Sequence, residues 1–154
     1  MSSAVSDIRS FHVEQEISIE APPEVVFESI LAELGPGSEM PDGTPFPMKL
    51  EAWPGGRWFR DLGGNKGHLW GHVQVIKPPT LLELCGPMFM SYPVASHVQY
   101  RVTAATGGAL LTLKHRAIGL IPDDHMEGVN EGWAHGLNRV RTIALEKFAA
   151  LRGN

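Results

Sequence analysis

Cysteine is almost missing from this chain of 154 residues: Cys85 stands alone. A single thiol closes no internal disulfide and suits a reducing compartment, so a cytoplasmic protein is expected. Basic charge is scarce as well, with 13 Lys and Arg against 17 Asp and Glu and a formal net charge of −4. No Lys/Arg cluster occurs, which argues against a nucleic-acid partner, whose binding rests on phosphate neutralisation. No apolar run approaches the roughly 18 residues that span a bilayer, so no membrane insertion is expected. Met1 to Ser10 lacks a cationic stretch followed by an apolar core, so no signal peptide is expected either. Residues 1–8 read as a flexible tail on one domain covering 1–154. Catalytic signatures are missing too: there is no G-x-S-x-G elbow, and Gly63 to Gly67 lacks the P-loop pattern and falls in a hairpin turn.

What remains is ordinary globular material, 43% hydrophobic and 19% charged, enough for one core. Its strongest signal lies near the C-terminus. Met126, Val129, Trp133, Leu137, Val140, Ala144, Phe148 and Leu151 recur in steps of three and four. That spacing keeps one face of a helix apolar from about Asp124 to Leu151. Asp124 and Glu127 have the spacing of a capping box at its start.

Upstream, the period is two. Phe11, Val13, Ile17 and Ile19 alternate with polar residues in a first strand, Gln15 being the polar intruder on the apolar side. Pro22-Pro23 then opens a helix with Val26, Phe27, Ile30, Leu31 and Leu34 on its stripe, closed by Gly35-Pro36-Gly37. Residues 35–47 are too rich in Pro and Gly for a regular element. They read as a loop, either a plain connection or a functional one. Six strand candidates follow: 48–52, 57–61, 68–77, 81–85, 96–104 and 109–118. Their short turns favour an antiparallel meander. The expectation is an α+β protein, a sheet of about seven strands facing one long helix, a container-like arrangement.

Several residues invite chemistry. His68 and His72 have i, i+4 spacing, but Val73 to Ile76 reads as strand. Four residues there span about 13 Å, too far for one zinc, and no metal is expected. Cys85 beside Gly86-Pro87 reads as an apolar filler. His115 shares a strand face with Leu111, Leu113 and Ala117, while Lys114 and Arg116 take the solvent face, so His115 points inward. It is either a hydrogen-bonded core histidine or a polar anchor for a ligand. Tyr100, between Val98 and Val102, is expected beside it. Met88, Met90 and Met126 supply adaptable side chains suited to irregular gaps. Gly128, Gly132 and Gly136 lie on the shoulder of the helix stripe near Trp133, each costing about 1 kcal/mol relative to Ala. Either a strand packs closely there, or the glycines leave space above a cavity or let the helix shift as a lid.

Four pieces in order resemble a known family: Ile19 to Phe27 at the first helix, Trp53-Pro54-Gly55-Gly56-Arg57-Trp58, Gly71-His72-Val73 through Pro78-Pro79, and Leu113 to Arg116 with Gly132-Trp133. Strand, helix, loop, six strands and a long helix resemble the helix-grip fold of the START/Bet v1 (SRPBCC) superfamily. Within it the chain is similar to the family named after the activator of Hsp90 ATPase (AHSA1-like). The resemblance implies a curved antiparallel sheet wrapped on a long C-terminal helix. The co-chaperones that name the family carry a further N-terminal domain with no counterpart before Phe11, so Hsp90 activation is not carried over.

Three functions follow as expectations. The first is binding of a small, mostly apolar molecule between sheet and last helix, without a cofactor, the lining candidates being Tyr100, His115, Met126, Gly132, Trp133, Gly136, Met88 and Met90. The second is a cofactor-independent cyclase, dehydratase or hydrolase in the same cavity, with His115 and Tyr100 as acid/base groups. The third is a protein-interaction module related to Hsp90 co-chaperones. A homodimer stays open.

Overall fold

The computed structural model describes residues 7–153, so most of the segment read as an N-terminal tail lies outside the described residues. In chain order the elements are β1 (Arg9–Ile19), α1 (Pro23–Leu34), β2 (Lys49–Leu50), β3 (Arg57–Gly63), β4 (Lys66–Lys77), β5 (Leu81–Gly86), β6 (Val94–Ala105), β7 (Gly108–Gly119) and α2 (Asp123–Arg152). The strands form one antiparallel sheet of order β1-β7-β6-β5-β4-β3-β2. Strands β2 to β7 follow one another as a meander. The first strand alone crosses over, and the connection that carries it across holds α1. This is the α+β helix-grip arrangement.

Sequence alternation decides which side chains enter the core. On β7, Ala109, Leu111, Leu113, His115 and Ala117 are buried, and on β6 Ser96, Val98, Tyr100 and Val102 match them. They meet Val129, Trp133, Leu137, Val140 and Ala144 of α2 and Val26, Phe27 and Ile30 of α1. Fully burying one such aliphatic or aromatic side chain contributes about 1.5–3 kcal/mol, and this shared core seats α2 on the sheet. Gln15 turns inward as expected, and its Nε2 donates to the Asn130 carbonyl at 2.8 Å, so the polar intruder ties β1 to α2.

Helix α2 runs unbroken through its three glycines for 30 residues. The capping box does not form. Pro122 is the N-cap and no side chain caps the helix, because Asp124 is already inside the first turn. There Asp123 and Asp124 instead oppose the positive end of the helix dipole. Strand β2 shrinks to two residues: Met48 is buried in the loop before it, and Ala52 is exposed beyond it.

A bulge in β4 sets up the site. Trp58 pairs with Gly71 and Phe59 with Leu69, so Trp70 has no partner on β3. The extra residue shifts the alternation. His68 and Trp70 turn inward before it, and Gly71 and Val73 after it. Strand β5 then ends on Gly86 at φ 147°, where a Cβ would lie 2.6 Å from the Trp70 carbonyl oxygen. Only glycine permits that approach. It lets Met88 N–H donate to the same carbonyl at 2.7 Å and brings the Phe89 ring to 5.9 Å from Trp70. Among the described residues no helix is long and apolar enough to cross a membrane.

Candidate functional site

A cavity of about 580 Å³ lies between the N-terminal half of α2, the C-terminal end of α1, the loop 35–47 and the β3–β5 end of the sheet. Its floor along α2 runs from Asp124 to Gly136, about 18 Å at 1.5 Å per residue. Gly128 and Gly132 are solvent-accessible, and a Cβ on either would meet nothing within 4 Å. No strand packs against them. Their missing side chains are space in the cavity, the second of the readings their spacing allowed.

The walls are aromatic. Trp58 and Trp70 meet edge to face at 5.1 Å, and Phe46 lies 6.0 Å from Trp70. Trp58 Nε1–H donates to the Leu34 carbonyl at 2.7 Å, so one ring both lines the cavity and satisfies an orphan carbonyl at the end of α1. Trp70 Nε1–H donates to His68 Nδ1 at 3.1 Å. Loop 35–47, irregular as its composition implied, contributes Ser38, Glu39, Met40, Pro41 and Phe46 to the rim.

Glu33 is the polar centre of this space. It is half-buried by surface area, but protein surrounds it on nearly every side and its accessible part lines the cavity. Burial therefore governs its proton. Desolvation raises its pKa from 4.5 to about 7, Arg139 pulling it down and Glu39 pushing it up. Gly136 makes the position possible, since a Cβ there would come within 2.8 Å of Glu33 Oε1. Nearby, Glu39 is occupied: His135 Nε2 stands 3.3 Å from Oε1 and Arg139 Nε 3.6 Å from Oε2. At the far end His125 Nδ1 is 2.8 Å from the Tyr92 hydroxyl.

Of the residues proposed from sequence, Gly132, Trp133 and Gly136 line the cavity, whereas Tyr100, His115, Met126, Met88 and Met90 do not. Trp133 is the reason for the split. Its ring lies between the cavity and the sheet, 6.3 Å from Tyr100 and 5.4 Å from His115, so both sit behind it. His115 has no accessible surface. Its Nδ1 accepts from Trp133 Nε1–H at 2.8 Å, and its Nε2 lies 3.0 Å from Ser96 Oγ. An accepting Nδ1 assigns the ring proton to Nε2, which donates to Ser96. Desolvation lowers the His115 pKa to about 4, which fits a neutral ring. Of the two readings for His115, the hydrogen-bonded core histidine is the one realised. Tyr100 is equally enclosed, and burial drives its hydroxyl pKa well up. Met88 and Met90 are fully buried, and Met126 is half-buried beside the floor.

Sequence reasoning missed Glu33, Glu39, Phe46, Trp58, Trp70 and His135. One signal was available: Val26, Ile30 and Glu33 follow in steps of four and three, which puts a carboxyl on the apolar stripe of α1. His68 and His72 both lie on β4, as argued against a helical pair, but His72 is exposed. Among the described residues no three His, Cys, Asp or Glu groups gather as a metal site.

No family model matches the chain, and no curated protein matches it in sequence. Solved structures do. An uncharacterised protein from Rhizobium leguminosarum aligns with a TM-score of 0.69 at 16% identity, over 91% of this chain and 97% of that one. CalU16 from Micromonospora echinospora aligns with a TM-score of 0.59 at 21% identity, over 95% of this chain and 84% of that one. DynU16, from the dynemicin biosynthetic locus, gives a TM-score of 0.59 at 17% identity, over 85% of this chain and 46% of that one. At these identities the likeness establishes the helix-grip fold and says nothing of ligand or chemistry.

Proposed function

We propose that this protein binds a small, mostly apolar molecule in the cavity between its sheet and the N-terminal half of α2. The carrying observation is the cavity itself. Its volume of about 580 Å³ falls within the roughly 300–1,000 Å³ of small-molecule sites. Its walls are rings, and the helix that floors it lacks side chains at Gly128 and Gly132, where filling them would meet no obstacle. Membership of the AHSA1-like family belongs to the same reading and rests on the four sequence pieces. A cytoplasmic setting rests on the lone cysteine.

A cofactor-independent enzyme is the second reading, and one observation favours it: Glu33, with its pKa raised to about 7, has the proton affinity of an acid/base group at neutral pH. His115 and Tyr100 do not serve that reading, since both lie behind Trp133. A neutral apolar dye such as Nile red tests the binding reading. It should bind at about micromolar affinity, roughly −8 kcal/mol, and Gly132→Leu should weaken it at least tenfold. Absent binding, or binding indifferent to Gly132→Leu in a folded variant, refutes it and moves the interaction-module reading ahead.

A further inference from the structure

We propose that the ligand of this cavity carries an organic ammonium group, held by the Glu33 carboxylate and the surrounding aromatic faces. The inference rests on the cavity-binding reading above and deepens it by naming the chemical class. Fixed lining charge is one-sided: Glu33, Glu39 and Asp124 supply three carboxyl groups, neither Lys nor Arg lines the cavity, and the other titratable lining groups are His68, His125 and His135. Ring faces carry negative quadrupoles that attract cations; rings from Phe46, Trp58, Trp70, Phe89 and Trp133 line the same space, and Phe46 already carries the Arg60 guanidinium 4.1 Å from its centroid. An anionic ligand would meet repulsion from these carboxylates.

Among the three acids, Glu33 is the enclosed one with no ion pair. Glu39 stands against His135 and Arg139, and Asp124 is exposed at the mouth. Among the described residues no donor hydrogen-bonds the Glu33 carboxyl, although it is desolvated. A buried carboxylate in that state gains most from an incoming cation, because the cation restores the pairing that burial removed. Gly136 supplies the room for it, since even one methyl group there would displace Oε1. Together these place the anionic atom at the α1 end of an aromatic channel, deep enough to be shielded and still reachable from the mouth.

The proton carries the test. Ammonium binding requires the ionised carboxyl, so apparent affinity follows the ionised fraction. With a pKa of about 7, that fraction rises about tenfold between pH 6 and pH 8. A neutral ligand that accepts a hydrogen bond from protonated Glu33 would show the opposite slope. Other groups face Glu33 or share its cavity: Arg139, His125 and His135 from α2, Glu39 from the loop, His68 from β4 and Tyr100 from β6. The comparison is therefore made against Glu33→Gln, which keeps all of them.

Naphthylmethylamine, naphthylmethanol and naphthoate share a ring system and differ in charge. Calorimetric titration of each into the parent and Glu33→Gln at pH 6 and pH 8 separates the possibilities. The amine should bind the parent at pH 8 at least tenfold tighter than the alcohol, lose about tenfold at pH 6, and lose its advantage over the alcohol in Glu33→Gln. Naphthoate should bind weakest. Removing a charge from an apolar site leaves the fold intact, and the parent's own pH slope needs no variant. An alcohol or naphthoate binding as tightly as the amine, or an amine indifferent to Glu33→Gln, overturns the ammonium assignment and leaves the cavity reading standing. If none of the three binds and Nile red does not bind either, both fail together.

Discussion

Stability plotted against pH should be nearly flat in the parent and steep in Glu33→Gln, because two buried groups titrate in opposite directions. Glu33 titrates at about 7 in the fold against 4.5 ordinarily. Between those values the folded protein holds a proton that the unfolded chain has released, so stability falls as pH rises through that window. His115 titrates at about 4 in the fold against 6.5 ordinarily. Here the unfolded chain binds the proton that the fold refuses, so stability rises with pH from about 4 to 6.5. A tenfold change in a proton equilibrium corresponds to about 1.4 kcal/mol, which makes each arm about 3 kcal/mol at most. The two windows overlap and their slopes cancel. Glu33→Gln deletes the falling arm. The difference in unfolding free energy, variant minus parent, should therefore grow by about 2–3 kcal/mol between pH 5 and pH 8. The unpaired amide of Gln costs something of its own, but that offset is constant with pH and drops out. Urea denaturation followed by tryptophan fluorescence measures it. A difference that stays constant across that range, or shrinks, would show that Glu33 is solvated in the folded state and refute the reasoning about the cavity.

Other outcomes follow from single contacts. Trp133→Phe keeps a ring but removes the donor to His115 Nδ1, so it should cost about 1–3 kcal/mol and move the His115 titration upward, read by NMR of its ring protons. Trp133→Ala should cost about 3–5 kcal/mol, the range for truncating a large buried aromatic. Gly128→Ala and Gly132→Ala, which meet nothing within 4 Å, should each stabilise the protein by up to about 1 kcal/mol through helix propensity, read by thermal unfolding. Gly136→Ala should forfeit that gain in the same assay, because its methyl meets Glu33 Oε1 at 2.8 Å.

Most of the fold was legible because it depends on periodicities that the sequence states openly. Alternation on β6 and β7 assigned Tyr100 and His115 to the inner face, and the three-four spacing predicted α2 to within a residue of its observed Asp123–Arg152. Where a strand departs from regular alternation, the signal fails. The bulge at Trp70 inverts which residues of β4 face inward, and nothing in His68 to Lys77 announces the extra residue. The capping box failed for a different reason: the spacing was present, but the N-cap is Pro122, two residues before the Asp124 that the motif required.

The site was legible only on its α2 side, and the reason is geometric. Trp133 and the glycines belong to one helix, whose faces can be projected from sequence. The opposite wall gathers Glu33, Phe46, Trp58 and Trp70 from four separate stretches, which only the fold brings together. Yet two of those residues broke local rules in a way that made sense jointly. Glu33 puts a carboxyl on a buried stripe, where it costs stability, and Gly136 puts a glycine inside a helix, where it costs about 1 kcal/mol. Neither has a packing rationale alone. In the fold the glycine opposes the carboxyl, and a Cβ at 136 would lie 2.8 Å from Glu33 Oε1 and make that carboxyl shift. Local rules broken in this way are expected at functional or strained sites. His115, the lone polar residue that alternation singled out, is an ordinary core histidine with both ring nitrogens engaged.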